Sequence, residues 1–228
     1  GLNVLHFQLE GSREEVVNAY SGALIQKNSF YYERGRISET EMKAFSKQLS
    51  SYAGTIRVRS FPRFNNHVST IDVKNGIAEY RKVVGCNPDI VIIDSLDLLD
   101  DSSGRKWDSK DERHKRIATT NDLKDIAGDE DLWIVTTYQA TMENRDWLND
   151  EKNVLTEFNC SEAKGIARPM THLVTLNQSD NERIENIMRL HVAKSRFFKK
   201  GKTIKIATRY DDEVFYDRQR TINLMKAA

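Results

Sequence analysis

The chain has 228 residues, 35 Lys and Arg against 34 Asp and Glu, 39% hydrophobic and 30% charged residues, with 11 Gly and 3 Pro. This is the composition of one globular domain spanning residues 1–228, and it excludes disordered, collagen-like and linker-rich chains. The near-zero net charge argues against a uniformly basic nucleic-acid coat and leaves only local patches. Two cysteines, Cys86 and Cys160, exclude a disulfide scaffold and suit a reducing compartment. The longest apolar run, Ile90–Leu99, is broken by Asp94 and Asp97 and is far short of a membrane span.

Val4–Leu9 reads as a buried strand, and a chain that opens with Gly1 directly in a core strand reads as a fragment or a processed product. Ser12 followed by Glu15 is a capping box, which predicts a helix to about Gln26. Ser38 and Glu41 repeat the signal before a helix over Met42–Tyr52. Thr55–Phe61 alternates as a short strand, and Thr70–Val84 is a helix stopped by Gly85. Asp89–Asp94 is a strand whose branched run, Ile90-Val91-Ile92-Ile93, is apolar on both faces, as a central parallel strand requires. Arg113–Gly128 reads as a helix and Leu132–Thr137 as the next buried strand. Residues 141–168 read as polar and irregular. His172–Leu176, Ile187–Ala193, Thr203–Ala207 and Val214–Tyr216 are strands in quick succession, with no helix-length segment between them. Alternating strands and helices followed by a β-rich end predict an α/β fold, a mostly parallel sheet covered by helices and extended by antiparallel strands.

Chemistry-bearing residues collect at the predicted strand ends. Asp94 ends the central strand, where open α/β sheets place their ligands. Glu10 ends the first strand, Gln139 follows Trp133–Tyr138, and Lys194 and Arg196 follow Met188–Ala193. Each has an ordinary reading: a loop-starting aspartate, a helix-capping acid, a loop amide, solvated cations. Asp97, Asp100 and Asp101 read as loop charges. His6, His67, His114, His172 and His191 show no metal spacing; His6 and His191 read as structural, Trp133 as core and Trp147 as packing its own loop. Neither cysteine has a partnered base.

Together these segments resemble the RecA-fold core of hexameric, DnaB-like replicative helicases, phage members included, in register from Val4 to Gly201. Val4–Glu10 resembles the strand that delivers the catalytic glutamate. Asp89–Leu96 resembles the Walker B segment, and Trp133–Gln139 the strand ending in the sensor glutamine. His191–Arg196, with Gly201 soon after, resembles the basic segment that reaches a neighbouring subunit's nucleotide. The resemblance implies ATP and Mg²⁺ as ligands. Glu10 would polarise the attacking water, Asp94 would hold Mg²⁺ through water, and Gln139 would sense the γ-phosphate. Arg196 would act as a finger in trans, with Lys194 beside it. It further implies a homohexamer on single-stranded DNA, a primase or helicase loader as partner, no membrane, and the cytoplasm of a bacterium or phage-infected host.

The family's Gly-rich phosphate loop is missing from the sequence. Gly201-Lys202-Thr203 has the right ending, but Phe197 stands where the first glycine belongs, and the segment lies between late strands. The expectation is a motor domain lacking that segment at its N-terminus, and a chain that binds ATP poorly by itself. Gly11 and Ser95 stand where many members carry Met and Tyr. The loop after the Walker B strand, about Asp100–Lys115, would face the DNA. From Arg105 to Arg116 it holds six Lys or Arg against three Asp or Glu, with Arg105, Lys106, Lys110 and Arg113 as candidate contacts. A second loop, within Met142–Gly165, offers Arg145, Lys152 and Lys164 among many acids. Lys194–Lys205 carries six cations and no acid around Phe197-Phe198, and reads as an intersubunit finger with its hairpin or as a second nucleic-acid surface. Two other readings of the chain are a non-catalytic RecA-like binding or assembly module and a recombinase or clock-type ATPase of the same fold.

Overall fold

A computed structural model describes residues 1–25, 38–51, 53–61, 67–108, 110–140, 145–159, 164–210 and 214–217. Cys160 and the predicted helix end at Gln26 lie outside them. The chain divides into two compact units, Gly1–Ser21 with Phe30–Tyr138, and Gly22–Ser29 with Gln139–Ala228.

The first unit is built on four parallel strands, β1 (Val4–Gln8), β2 (Ile56–Ser60), β4 (Ile90–Asp94) and β6 (Trp133–Thr136), ordered β2-β1-β4-β6. A short parallel pair, β3 (Val68–Ser69) and β5 (Leu99–Asp100), lies apart from them. The registers Val4↔Ile90 through Gln8↔Asp94 align β1 with β4. Because side chains alternate along a strand, one face carries Leu5, Phe7, Val91 and Ile93. All four are buried, the last three completely, each contributing roughly 1.5–3 kcal/mol. Helix α3 (Thr70–Val84) covers this face; a methyl at Gly76 would come within 2.7 Å of the Phe7 ring, so only glycine permits that approach. Its C-cap is Gly85 at φ 87°, the left-handed geometry that glycine adopts without strain.

Capping is where the sequence rules hold best. Before α1 (Arg13–Ile25), the Ser12 amide donates to Glu15 at 2.7 Å, and Ser12 Oγ accepts the Glu15 amide at 3.1 Å. Ser38 and Glu41 close the same box before α2 (Glu39–Ser50). Helix α4 (Glu112–Asp129) buries Leu123 and Ile126.

The opposite sheet face is polar at its centre and open at its edges. His6 and Gln8 are buried there, and His6 Nδ1 lies 2.9 Å from the Tyr20 hydroxyl. Trp133 and Val135 on edge strand β6 are 71% and 50% exposed. This corrects two expectations, Trp133 as core and its strand as buried. The run is apolar on both faces, but at an edge one of those faces has no neighbour to bury it.

The second unit is an antiparallel sheet ordered β10-β9-β8-β7, from β7 (His172–Asn177), β8 (Ile187–Ser195), β9 (Thr203–Arg209) and β10 (Val214–Asp217). Residues 141–168 are not wholly irregular. They include α5 (Arg145–Asn149) and α6 (Lys164–Ala167), and α7 (Asp180–Ile184) intervenes between β7 and β8. These helices are too short to leave a period in the sequence. The sheet turns polar residues inward: Thr175, Asn177, Arg189 and His191 are buried while Val174 and Leu176 are exposed. The buried set is satisfied locally. Asn177 Oδ1 accepts the Leu155 amide at 2.6 Å, and Thr175 Oγ1 donates to the Leu155 carbonyl at 2.7 Å.

Candidate functional site

In the first unit, β1 and β4 end side by side and bring together two of the expected residues. Strand β1 stops at Gln8, so Glu10 lies in the exposed bend just beyond it. Asp94 is the last residue of β4, directly opposite Gln8. The Leu9 amide donates to the Asp94 carbonyl at 2.9 Å, fixing the bend that carries Glu10. Thr137, one residue past β6, donates its hydroxyl to Asp94 Oδ1 at 2.8 Å. It lies inside the Trp133–Gln139 segment, yet nothing in its spacing marks it; only the matched ends of β4 and β6 bring it to the carboxylate.

Two buried atoms beside Asp94, His6 Nε2 and Gln8 Oε1, have no hydrogen-bond partner among the described residues. Burial holds the His6 pKa below its ordinary value, against the opposing pulls of the Asp94 charge and of the Gln8 side chain, which faces the imidazole without a well-formed hydrogen bond. No group of three or more His, Cys, Asp or Glu able to hold a metal occurs among the described residues. This donor set would fit Mg²⁺ only through the single carboxylate of Asp94, with water completing the shell. It does not provide a triphosphate cradle.

The second unit carries the basic pair. Lys194 lies within β8 rather than after it, and Arg196 follows the strand. The Lys194 ammonium donates to the carbonyls of Ala167 at 2.5 Å and Arg168 at 2.9 Å, capping α6, and Arg196 Nη2 reaches the Arg168 carbonyl at 3.3 Å. Burial, then the neighbouring Arg196 charge, lower the Lys194 pKa. Lys194 is thus committed to the backbone, whereas the Arg196 side chain is exposed. Lys194→Met, which keeps the length of the side chain and removes its donors, should accelerate tryptic cleavage after Lys164, at the start of the helix it caps, several-fold. Limited proteolysis read by mass spectrometry would show this, and an unchanged rate would mean the cap is dispensable. Gln139 is exposed, three residues beyond the end of β6.

The first candidate DNA loop is folded around Asp101, which is 5% exposed and accepts from Ser103 Oγ at 2.8 Å and Trp107 Nε1 at 3.4 Å. Arg105 stacks over Trp107 with its guanidinium carbon 4.4 Å from the ring centroid, and pairs with Asp111 at 3.3 Å. Lys106, Lys110 and Arg113 are exposed. Lys115 is paired to Asp100 at 2.5 Å, and Arg116 lies 3.8 Å from both Asp97 and Glu112. Asp97, Asp100 and Asp101 are therefore partners within the fold, not the solvated loop charges expected. The side chains of Arg145 and Lys164 lie outside the described part; their backbones open α5 and α6.

No helix among the described residues is long and apolar enough to cross a membrane. No protein-family model matches the sequence, and the search of curated proteins gives no significant match. The fold does have relatives among solved structures. One of them, described as an ATPase domain, superposes with a TM-score of 0.73 at 18% identity, over 94% of this chain and 74% of that one. A DnaB-like replicative helicase, described with its interactions with primase, superposes at 0.72 and 16% identity, over 94% of this chain. The chain spans 51% of that helicase's length. At these identities the likeness establishes the fold: a parallel α/β sheet with a C-terminal antiparallel sheet, RecA-like as the sequence led us to expect.

Proposed function

We propose that these 228 residues act as one motor domain of an ATP-driven replicative helicase that translocates on single-stranded DNA in the cytoplasm. It works as a ring of identical subunits, the hexamer of the resemblance, with a primase or a loader as partner. One observation carries the reading: Glu10 and Asp94 lie at the carboxyl ends of adjacent parallel strands, with the Thr137 hydroxyl on Asp94. Phosphoryl transfer requires little beyond positioning and charge stabilisation, and these are the groups that position. Asp94, oriented by Thr137, would hold a Mg²⁺ ion through water, a cation that would supply charge neutralisation at the transferred phosphate. Glu10, held at the bend beyond β1, orients the attacking water and accepts its proton. Gln139 reads the γ-phosphate, and Arg196 supplies a cation to a neighbouring copy's nucleotide. The phosphate cradle is not contributed by the described residues, so the 228-residue chain by itself should bind ATP weakly.

The deciding experiment measures ATP turnover of the complete protein with and without single-stranded DNA. Stimulation by DNA supports the motor; turnover indifferent to DNA would favour a clock-type ATPase, filaments on DNA a recombinase, and absence of turnover a binding module. Glu10→Gln should lower the stimulated rate by about 10²–10⁴, the usual worth of a positioned base, while leaving nucleotide binding in place. Wild-type turnover in that variant would assign the water to another group.

The loop 101–111 is the favoured DNA surface, because Lys106 and Lys110 are exposed and Trp107 gives it an aromatic centre. Replacing Arg105, Lys106 and Lys110 with alanine should flatten the dependence of log affinity on log salt by ~0.7 for each phosphate no longer neutralised. Arg105, already paired to Asp111, should contribute least. An unaltered slope in a fluorescence-anisotropy titration would move the DNA site elsewhere.

A further inference from the structure

Gln8 ends strand β1 with a side chain that the strand does not need for its own hydrogen bonds. It is 8% exposed, stands opposite Asp94 in the register, and precedes Glu10 by two residues. Its backbone is already fixed: the Gln8 carbonyl accepts the Phe61 amide at 3.2 Å, and the following Leu9 amide donates to the Asp94 carbonyl. A buried amide with incomplete hydrogen bonds costs about 1–3 kcal/mol, and Gln8 Oε1 has no partner among the described residues. Packing alone would favour an apolar side chain here. The amide faces the His6 imidazole, whose Nδ1 lies 2.9 Å from the Tyr20 hydroxyl on α1. It also lies against the bend that carries Glu10. A methyl built on Gly11 would come 3.0 Å from Gln8 Nε2, 3.7 Å from Gln8 Cδ and 2.6 Å from Glu15 Oε2. Gly11 has no positive φ, so the turn itself does not demand glycine. Room for the two side chains does, and of these Glu15 is exposed and can swing aside, whereas Gln8 is buried.

We propose that Gln8 is a positioning residue, whose amide sets the place of Glu10 relative to Asp94, and that Gly11 is the residue whose absent side chain admits it. The proposal rests on reading Glu10 and Asp94 as the pair that serves hydrolysis. The bend is pinned at Leu9 by the Asp94 carbonyl and at Ser12 by the Glu15 carboxylate. Between those pins stand Glu10 and Gly11, and the Gln8 amide is the surface against which Gly11 rests. The amide is braced from behind by His6, and through it by Tyr20 on the helix that the bend leads into. Strand end, bend and helix start are thereby closed into one unit around a polar side chain. Gln8 then lowers stability while it raises the rate, the combination expected of a functional site.

The test compares Gln8→Leu, Gln8→Ser, Gly11→Ala and Gln8→Ser/Gly11→Ala in the complete protein, with Glu10→Gln beside them. Steady-state ATP turnover, nucleotide affinity and thermal melting are measured for each. Gln8→Leu, close in volume and without the amide, should lower kcat by about 10- to 100-fold, the loss that follows a small displacement of a reacting group. Its KM and nucleotide affinity should stay at wild type. It should melt no lower than wild type, because the amide it removes is incompletely paired. Gly11→Ala should lower kcat by about tenfold, but by less than about threefold in the Gln8→Ser background, where the amide that its methyl strikes is gone. Wild-type turnover in Gln8→Leu, with Glu10→Gln slow, would overturn the proposal and leave the hydrolytic reading standing. A lowered melt alongside the lost turnover would mark Gln8 as structural and overturn it too. Equal losses from Gly11→Ala in both backgrounds would do the same, since the methyl would then act through Glu15. Wild-type turnover in Glu10→Gln would remove the hydrolytic reading, and the positioning role with it.

Discussion

Arg196→Ala should reduce DNA-stimulated ATP turnover in the complete protein by about 10³–10⁵, the range over which a finger supplied across an interface acts, with nucleotide affinity little changed. Arg196 and its basic neighbour have different surroundings. Lys194 is half-buried and spends its ammonium on the carbonyls of Ala167 and Arg168. Arg196 is exposed, reaches only the Arg168 carbonyl at 3.3 Å, and has no ion pair among the described residues. A planar, always-charged group with spare donors is suited to a phosphate; a lysine capping a helix end is not. Action in trans has a specific signature. In the proposed ring, mixtures of Glu10→Gln and Arg196→Ala subunits would contain some interfaces with both wild-type groups, Glu10 from one subunit and Arg196 from the other. Two inactive variants should therefore regain part of the turnover when mixed. A mixture as inactive as its components would place the arginine in cis or remove it from the reaction.

Much of the fold was legible because its signals are local. Ser12–Glu15 and Ser38–Glu41 form the reciprocal hydrogen bonds their spacing requires, and the helix read from Thr70 to Val84 ends on a left-handed glycine. Asp94 was visible because a charged residue at the end of Ile90–Ile93 breaks an otherwise apolar run. What was not legible depends on neighbours distant in sequence. Trp133 looks like core by composition and is 71% exposed because β6 is an edge strand, and strand order cannot be read from hydropathy. Thr137 became a partner of Asp94 only through the alignment of two strand ends 43 residues apart in the chain. Lys194 and Arg196 are two positions apart and read alike, yet the bulge between Leu173 and Val174 in the partner strand accompanies different fates for them. The inward polar face of the antiparallel sheet was likewise invisible: His172-Leu173-Val174-Thr175-Leu176-Asn177 alternates as a strand should, but with the polar residues buried.

That inverted face predicts the largest stability effect in the second unit. Glu182 and Arg189 are 1% and 2% exposed, with Arg189 Nε 2.8 Å from Glu182 Oε1 and 2.9 Å from Oε2. Arg189 Nη1 also donates to the carbonyls of Glu151 and Asn153, at 2.7 and 2.6 Å, so it ties residues 151–153 to the sheet. Glu182 in turn accepts the Ser179 amide at 3.0 Å and belongs to the capping box of α7. Removing one member of a buried pair leaves the other charged and dry, which costs about 3–5 kcal/mol, and Arg189→Met strips two carbonyls of their donor as well. Lys205 lies 3.7 Å from Glu182 Oε1 and moderates the loss, so Arg189→Met/Lys205→Met should be the less stable of the two. Glu182→Leu with Arg189→Met removes both charges and should recover part of the deficit, though not the anchoring of residues 151–153. Urea denaturation of wild type, Glu182→Leu, Arg189→Met and Glu182→Leu/Arg189→Met forms the mutant cycle that separates the pair's coupling from the lost anchoring, with Arg189→Met/Lys205→Met measured beside it. A cost below about 1 kcal/mol for Arg189→Met, the range of a solvated surface pair, would mean that water enters this face and that the sheet is held by its apolar side chains alone.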